Sequence, residues 1–264
     1  MRENDVILYL SMKHKGDITK MIDDVRQRRY HDCEDVAECY RQLNSQFITI
    51  MERAYPSSLR YGYCPPLLLY YYGNISLLNN FKKTYAFVGS RNPSEYGVAM
   101  AKKLAGDCAK KGLILVSGMA SGIDGAAMEA ALDAGGKVIA VLGTGIDRPF
   151  PNINKDLYIR IKENGLVISE YPGDTPPERE NFPKRNRIIA ALGAATIVGE
   201  SAMKSGTMIT VKYATELGRD IGAVPHPGFV ENGCNALIRD GAQMVETADD
   251  IVEMLEDCYI TWDE

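Results

Sequence analysis

The segment Asn181-Phe182-Pro183-Lys184-Arg185-Asn186-Arg187-Ile188-Ile189 sets Lys184, Arg185 and Arg187 close together ahead of an apolar run. Such a group can hold an anion through charge and hydrogen bonds, and it repels itself until something negative neutralises it. Pro183 suits the first turn of a helix, and Ile188, Ile189 and Leu192 give that helix a core-facing stripe. Side chains lean toward the helix N-terminus, so Arg185, one turn ahead of the stripe, is expected to point into a crevice. A second arrangement is open to the same residues, in which Arg185 and Arg187 pair only with Glu170, Glu178 or Glu180.

Four further segments could present backbone N–H groups to the same anion. They are Gly89-Ser90-Arg91 with Tyr96-Gly97, Ser117-Gly118-Met119-Ala120-Ser121-Gly122-Ile123-Asp124, Gly143-Thr144-Gly145-Ile146-Asp147-Arg148, and Lys204-Ser205-Gly206-Thr207. Each alone is compatible with a tight strand-to-helix turn, but glycine loops that gather on one edge of a sheet make an anion site at helix N-termini. Neither a P-loop nor a G-x-G-x-x-G fingerprint occurs, which argues against an NTPase or a dinucleotide enzyme. Asp124 and Glu200 are carboxylates that could reach the crevice, and Asp124 is expected to orient the glycine loop.

The elements that must position these residues begin near Tyr85. Short apolar runs (YAFVGS, LILVSG, KVIAVLG, LVISE, ATIVGE, DIGAVP) alternate with helical segments, and several end in Gly or Ser. Buried strands that each feed a helix predict an α/β fold with a doubly wound, mostly parallel sheet, which binds ligands at the carboxyl ends of its strands. In SGTMITVKYATELG, Ile209, Tyr213 and Leu217 are expected to face the core, with Ser205 capping the start and Gly218 closing the end. Residues 1–80 lack this alternation and read as a small helical N-terminal region with a linker whose Tyr55-Pro56 and Pro65-Pro66 look like turns; residues 81–264 form the core. Tyr70-Tyr71-Tyr72 is read as core rather than interface.

Composition narrows the function. The chain has 264 residues and 45% hydrophobic content, enough for a sizeable core, and no early apolar stretch of signal type or bilayer-spanning window, so a cytoplasmic protein is expected. Six dispersed cysteines and the scattered His14, His31 and His226 suggest neither a disulfide framework nor a metal, and no cofactor is expected. With 30 basic and 35 acidic residues the net charge is −5, so any polyanion must be held by a local basic cluster.

Taken together the motifs resemble the DNA-processing protein A (DprA/Smf) family: Val88-Gly89-Ser90-Arg91, Ser117 through Asp124, Phe182 through Ile189, and Ser205-Gly206-Thr207 match in order and separation. The resemblance covers about residues 55–255 and includes Asn235-Ala236-Leu237-Ile238 and Gly241-Ala242. It implies an extended Rossmann-like fold that binds single-stranded DNA without catalysis, forms homodimers and loads a RecA-type recombinase during natural transformation. Carried over, the DNA site comprises Arg91, Lys184, Arg185, Asn186 and Arg187, with Gly89, Ser90, Gly118, Ser121, Gly122, Lys204, Ser205 and Gly206 as backbone or hydroxyl contacts. Met128 replaces a usual His, Phe150 replaces a common Tyr, Val224-Pro225-His226-Pro227-Gly228 is two residues longer than the usual V-P-G, and no winged helix is expected after the core. An enzyme resembling the cytokinin-activating phosphoribohydrolases is the alternative, yet Thr210 stands where their catalytic Glu would align. A nucleotide-sensing module is the third reading.

Overall fold

Each apolar run from Tyr85 onward becomes a strand, and all but the last are buried on both sides along most of their length. In the computed structural model, which describes residues 2–30, 33–228 and 232–258, these are β3 (Thr84–Val88), β4 (Ile114–Ser117), β5 (Lys137–Gly145), β6 (Leu166–Tyr171), β7 (Ala195–Val198) and β8 (Asp220–Ala223). Together with β1 (Gln46–Thr49), β2 (Leu68–Gly73) and β9 (Gln243–Met244) they form one nine-stranded sheet in the order β1-β2-β6-β5-β4-β3-β7-β8-β9. From β6 to β9 the pairings are parallel, whereas β1 and β2 add antiparallel, with Gln46 opposite Tyr71 and Tyr70 opposite Ser169.

Strand periodicity divides the core. Tyr85, Phe87, Leu115, Val138, Ala140 and Val167 pack on one face, and Ala86, Val88, Val116, Ile139, Val141 and Ile168 on the other. The first face is covered by α5 (Glu95–Lys110), α6 (Ile123–Asp133), α7 (Lys155–Asn164) and α11 (Ala248–Glu256), the second by α4 (Ser57–Arg60), α8 (Asn181–Leu192), α9 (Gly206–Glu216) and α10 (Gly233–Arg239). This is the expected doubly wound α/β architecture.

Three expectations need correction. The sheet runs across residue 80, because β1 and β2 extend it beyond β6; the tyrosine run belongs to β2, where Tyr70 is buried with its hydroxyl on Ser11 Oγ at 2.9 Å. On α9 the core-facing stripe is Thr207, Thr210, Val211 and Ala214, leaving Ile209, Tyr213 and Leu217 half-buried. Gly218 does close α9, at φ +66° with its N–H on Thr215 O and that of Arg219 on Ala214 O. Ser205 does not cap it, since its hydroxyl is engaged by Ser201 Oγ at 2.8 Å.

Ahead of the sheet lie α1 (Glu3–His14), α2 (Ile18–Arg26) and α3 (Cys33–Gln42), with Leu8 and Leu10 fully buried. Asp24 pins α2 to α1: its carboxylate accepts from Lys13 Nζ and Arg29 Nε at 2.8 and 2.9 Å and lies 2.8 Å from His14 Nε2. Cys39, Cys108, Cys234 and Cys258 are buried and Cys64 is exposed; His31 lies outside the described residues. Among the described residues no group of His, Cys, Asp and Glu is placed to hold a metal, and no helix is long and apolar enough to cross a membrane.

Candidate functional site

Strand order reverses between β3 and β7: β3 leads to α5 on one face, β7 to α9 on the other, so the two loops diverge and open a crevice. The resulting cavity measures about 360 Å³, and Gly89, Ser90, Arg91, Arg185, Asn186, Ser205 and Gly206 from the expected set line it.

The loop carrying Arg91 is fixed from two sides. On one, Asp124 at the start of α6 accepts the N–H of Gly89 and of Gly118, each at 3.2 Å, so a buried carboxylate staples the ends of β3 and β4 together. Burial pushes the Asp124 carboxyl up, while the positive charge of Arg185 pulls it down. Gly122, at φ +81°, lets α6 approach: a Cβ there would stand 2.3 Å from Ser90 O. On the other side, Glu200 accepts the Ser90 N–H on its main-chain oxygen at 2.7 Å, and its carboxylate takes the Ser94 N–H at 3.0 Å and hydroxyl at 2.6 Å. Residue 97 must be glycine for this, since a Cβ would lie 2.1 Å from Glu200 Oε2. The longer Val224–Gly228 stretch braces the same strand end, with His226 Nε2 3.1 Å from Gly199 O. Held this way, Arg91 is exposed, has no ion-pair partner among the described residues, and sits with its guanidinium 5.6 Å from the centre of the Phe182 ring.

Arg185 forms the floor. It is only 4% exposed and donates to Gly118 O at 2.7 Å and to Val141 O, with Nε on Asn186 Oδ1. Burial holds its pKa down to about 10, with Asp124 opposing and Arg91 adding to the depression, so it stays a cation at neutral pH. Asn186 Nδ2 reaches Gly206 O at 3.3 Å and ties α8 to the start of α9. Among the described residues no side chain caps α9, so its first N–H groups, at Gly206 and Thr207 on the cavity wall, are available to an anion. The crevice thus carries two guanidinium groups and a helix N-terminus against one carboxylate already committed to backbone N–H groups.

The other expected residues lie elsewhere. Arg187 points away and is buried in a bidentate pair with Glu170, both contacts 2.6 Å, and its Nε donates to Cys64 O. Lys184 is exposed on that far side, 3.2 Å from Glu180. The anticipated self-repulsion of this basic group is therefore relieved by carboxylates of the chain. Gly118 backs Arg185, and a Cβ there would meet the guanidinium at 2.6 Å. Gly122, Ser121 and Lys204 do not line the cavity. The Gly143–Arg148 loop is shut out because α8 covers the end of β5: Gly143 packs on Phe182, and Arg148 pairs with Asp174 at 2.5 Å. Sequence reasoning missed the clamp by Glu200 and the rings of Phe182 and Phe150, whose centres lie 5.5 Å apart beside Arg91. The only signal for the clamp was a Ser94-x-x-Gly97 helix start with a carboxylate at a distant strand end.

Fold and crevice define a doubly wound α/β protein with a crevice at its topological switch point lined by Arg91, Arg185 and the start of α9, and among the described residues the one carboxylate lining it is Asp124, already committed to backbone N–H groups. The chain belongs to the DNA recombination-mediator protein A family, whose model matches residues 46–256. It is 40% identical over 234 residues to DNA processing protein DprA of Streptococcus pneumoniae, covering 88% of this chain and 82% of that protein. It is 38% identical to Protein Smf of Synechocystis over 89% of this chain and spans 61% of that relative's length. The crystal structure of the S. pneumoniae protein superimposes with a TM-score of 0.80 at 37% identity, over 92% of this chain and 83% of that one. DNA processing protein A from Helicobacter pylori, whose structure describes a single-stranded DNA binding mode, matches with a TM-score of 0.72 at 30% identity, over 82% and 99% of the two chains.

Proposed function

We propose that this protein binds single-stranded DNA in the switch-point crevice, performs no chemistry on it, and as a homodimer in the cytoplasm delivers it to a RecA-type recombinase during natural transformation. The observation that carries the reading is Arg91: an exposed guanidinium free of any carboxylate among the described residues, held by a loop clamped at both ends, above the buried charge of Arg185 and the uncapped start of α9. A cavity of about 360 Å³ suits part of a flexible single strand. Family membership, under the description of a recombination mediator, supports the recombinase and transformation steps. Against a phosphoribohydrolase-like enzyme stand Thr210, buried at the position of the expected Glu, and Asp124, whose oxygens already accept two N–H groups.

Fluorescence anisotropy with a labelled single strand and its duplex, titrated with salt, tests the site. The single strand is expected to bind more tightly, and Arg91→Ala to weaken it and flatten the dependence of log K on log salt by roughly 0.7. Arg185→Ala is the poorer variant, because it strands the buried Asp124 and two carbonyls. Unchanged affinity in Arg91→Ala, or release of free base from a nucleoside monophosphate, would overturn the reading.

A further inference from the structure

Across α8 from the crevice lies a second cleft of about 460 Å³, bounded by the first turn of α8, by α9, by the loop around Tyr63 and by the α1–α2 connection. We propose that this cleft is a second contact site on the same strand, where an unpaired base of single-stranded DNA stacks on Tyr63. The proposal rests on the reading that the crevice binds such a strand.

Tyr63 is 63% exposed and its ring stacks on that of Tyr213, with centroids 6.0 Å apart and planes at 28°, so one face is supported while the side chain stays open to solvent. The backbone holding it is braced. Cys64, next in the chain, takes φ +48°, a conformation that non-glycine residues rarely adopt, and its carbonyl accepts Arg187 Nε at 2.9 Å. Arg187 is in turn immobilised by Glu170. The second arginine of the basic motif therefore supports an aromatic platform instead of touching the crevice.

The two cavities share a wall. On α9, Ile209 lines the crevice and Tyr213, one turn on, lines the cleft, an axial step of about 6 Å. On α8, Asn186 faces the first cavity while Lys184 and Arg187 face the second. A strand leaving the crevice over α8 meets Tyr63 next.

Charge decides what kind of contact this is. Lys184 is paired with Glu180, Lys20 with Asp17 and Arg187 with Glu170, and Lys15 and Glu178 also line the cleft, so it has no surplus of positive charge. Tyr63 must contribute through stacking, which is indifferent to salt, whereas Arg91 contributes through phosphate, which is not.

Anisotropy with oligothymidylates of about four and about twelve nucleotides, each at two salt concentrations, separates these contributions. For Tyr63→Ala the longer strand is expected to bind roughly tenfold more weakly, with the short strand and the salt slope unchanged, and Tyr63→Phe should behave as wild type. Equal losses on both lengths, no loss on the longer strand, an altered slope, or a Tyr63→Phe variant as weak as Tyr63→Ala would each overturn the platform. Failure of the wild type to bind either strand would remove the crevice reading and the platform with it.

Discussion

Glu200 is a carboxylate close to an anion crevice, and two physical effects of removing it have opposite signs. Deleting a negative charge near a polyanion strengthens binding by simple Coulomb attraction. Deleting the carboxylate releases Ser94, leaves only the main-chain bond from the Ser90 N–H, and so loosens the loop that carries Arg91, which weakens it. The contacts at 2.6 to 3.0 Å favour the clamp, so Glu200→Ala is expected to weaken single-strand binding by about tenfold, an effect absent when Arg91 is already Ala. Affinities of the wild type, both single variants and the double variant form the cycle; tighter binding, or equal loss in both backgrounds, would refute a role exerted through Arg91. At this scale Arg91 and Arg185 were legible, since Arg91 follows a strand end at the switch point and Arg185 lies one turn ahead of the core-facing Ile188 and Ile189. Arg187 was not, because Glu170, Glu178 and Glu180 were equivalent partners until the sheet placed Glu170, 17 residues away, beneath α8.

Among the elements, α1 and α2 depend on one buried acid. Lys13, His14 and Arg29 hold the Asp24 carboxyl well below the usual range, against the opposing effect of burial. A depressed folded pKa means that the unfolded segment binds the proton more readily, so this contribution is complete above about pH 4 and is lost as pH falls through the depressed value. Hydrogen exchange of the α1 and α2 amides should show protection collapsing on acidification in the wild type, whereas Asp24→Asn should be poorly protected at neutral pH and nearly flat below pH 5. Strands β3 to β8 were readable as apolar runs, several of them ending in Gly or Ser. The face of α9 was misread because Thr207 and Thr210 count as polar, yet their small side chains let the helix approach the sheet. For β2 the misleading signal was Pro65-Pro66, which ends just ahead of a strand rather than filling a linker.

For the molecule as a whole, the sheet sets where the chain can be cut. A truncation starting at residue 46 keeps every strand, while one starting at residue 81 removes β1 and β2 and bares the edge of β6 along Leu166–Ser169. An apolar unpaired edge recruits other chains. Light scattering should therefore find the first truncation less stable but dispersed, since it loses the buried Leu8 and Leu10, and the second aggregated; a dispersed second truncation would show that β6 tolerates exposure. The uncapped start of α9 has a consequence for the same whole. In the free protein, water must satisfy the amides that Ser205 leaves unserved; an anion in the crevice takes over as the cap. Site occupancy and helix integrity are then one equilibrium seen from two ends, so a ligand that prefers the folded crevice makes the fold more durable.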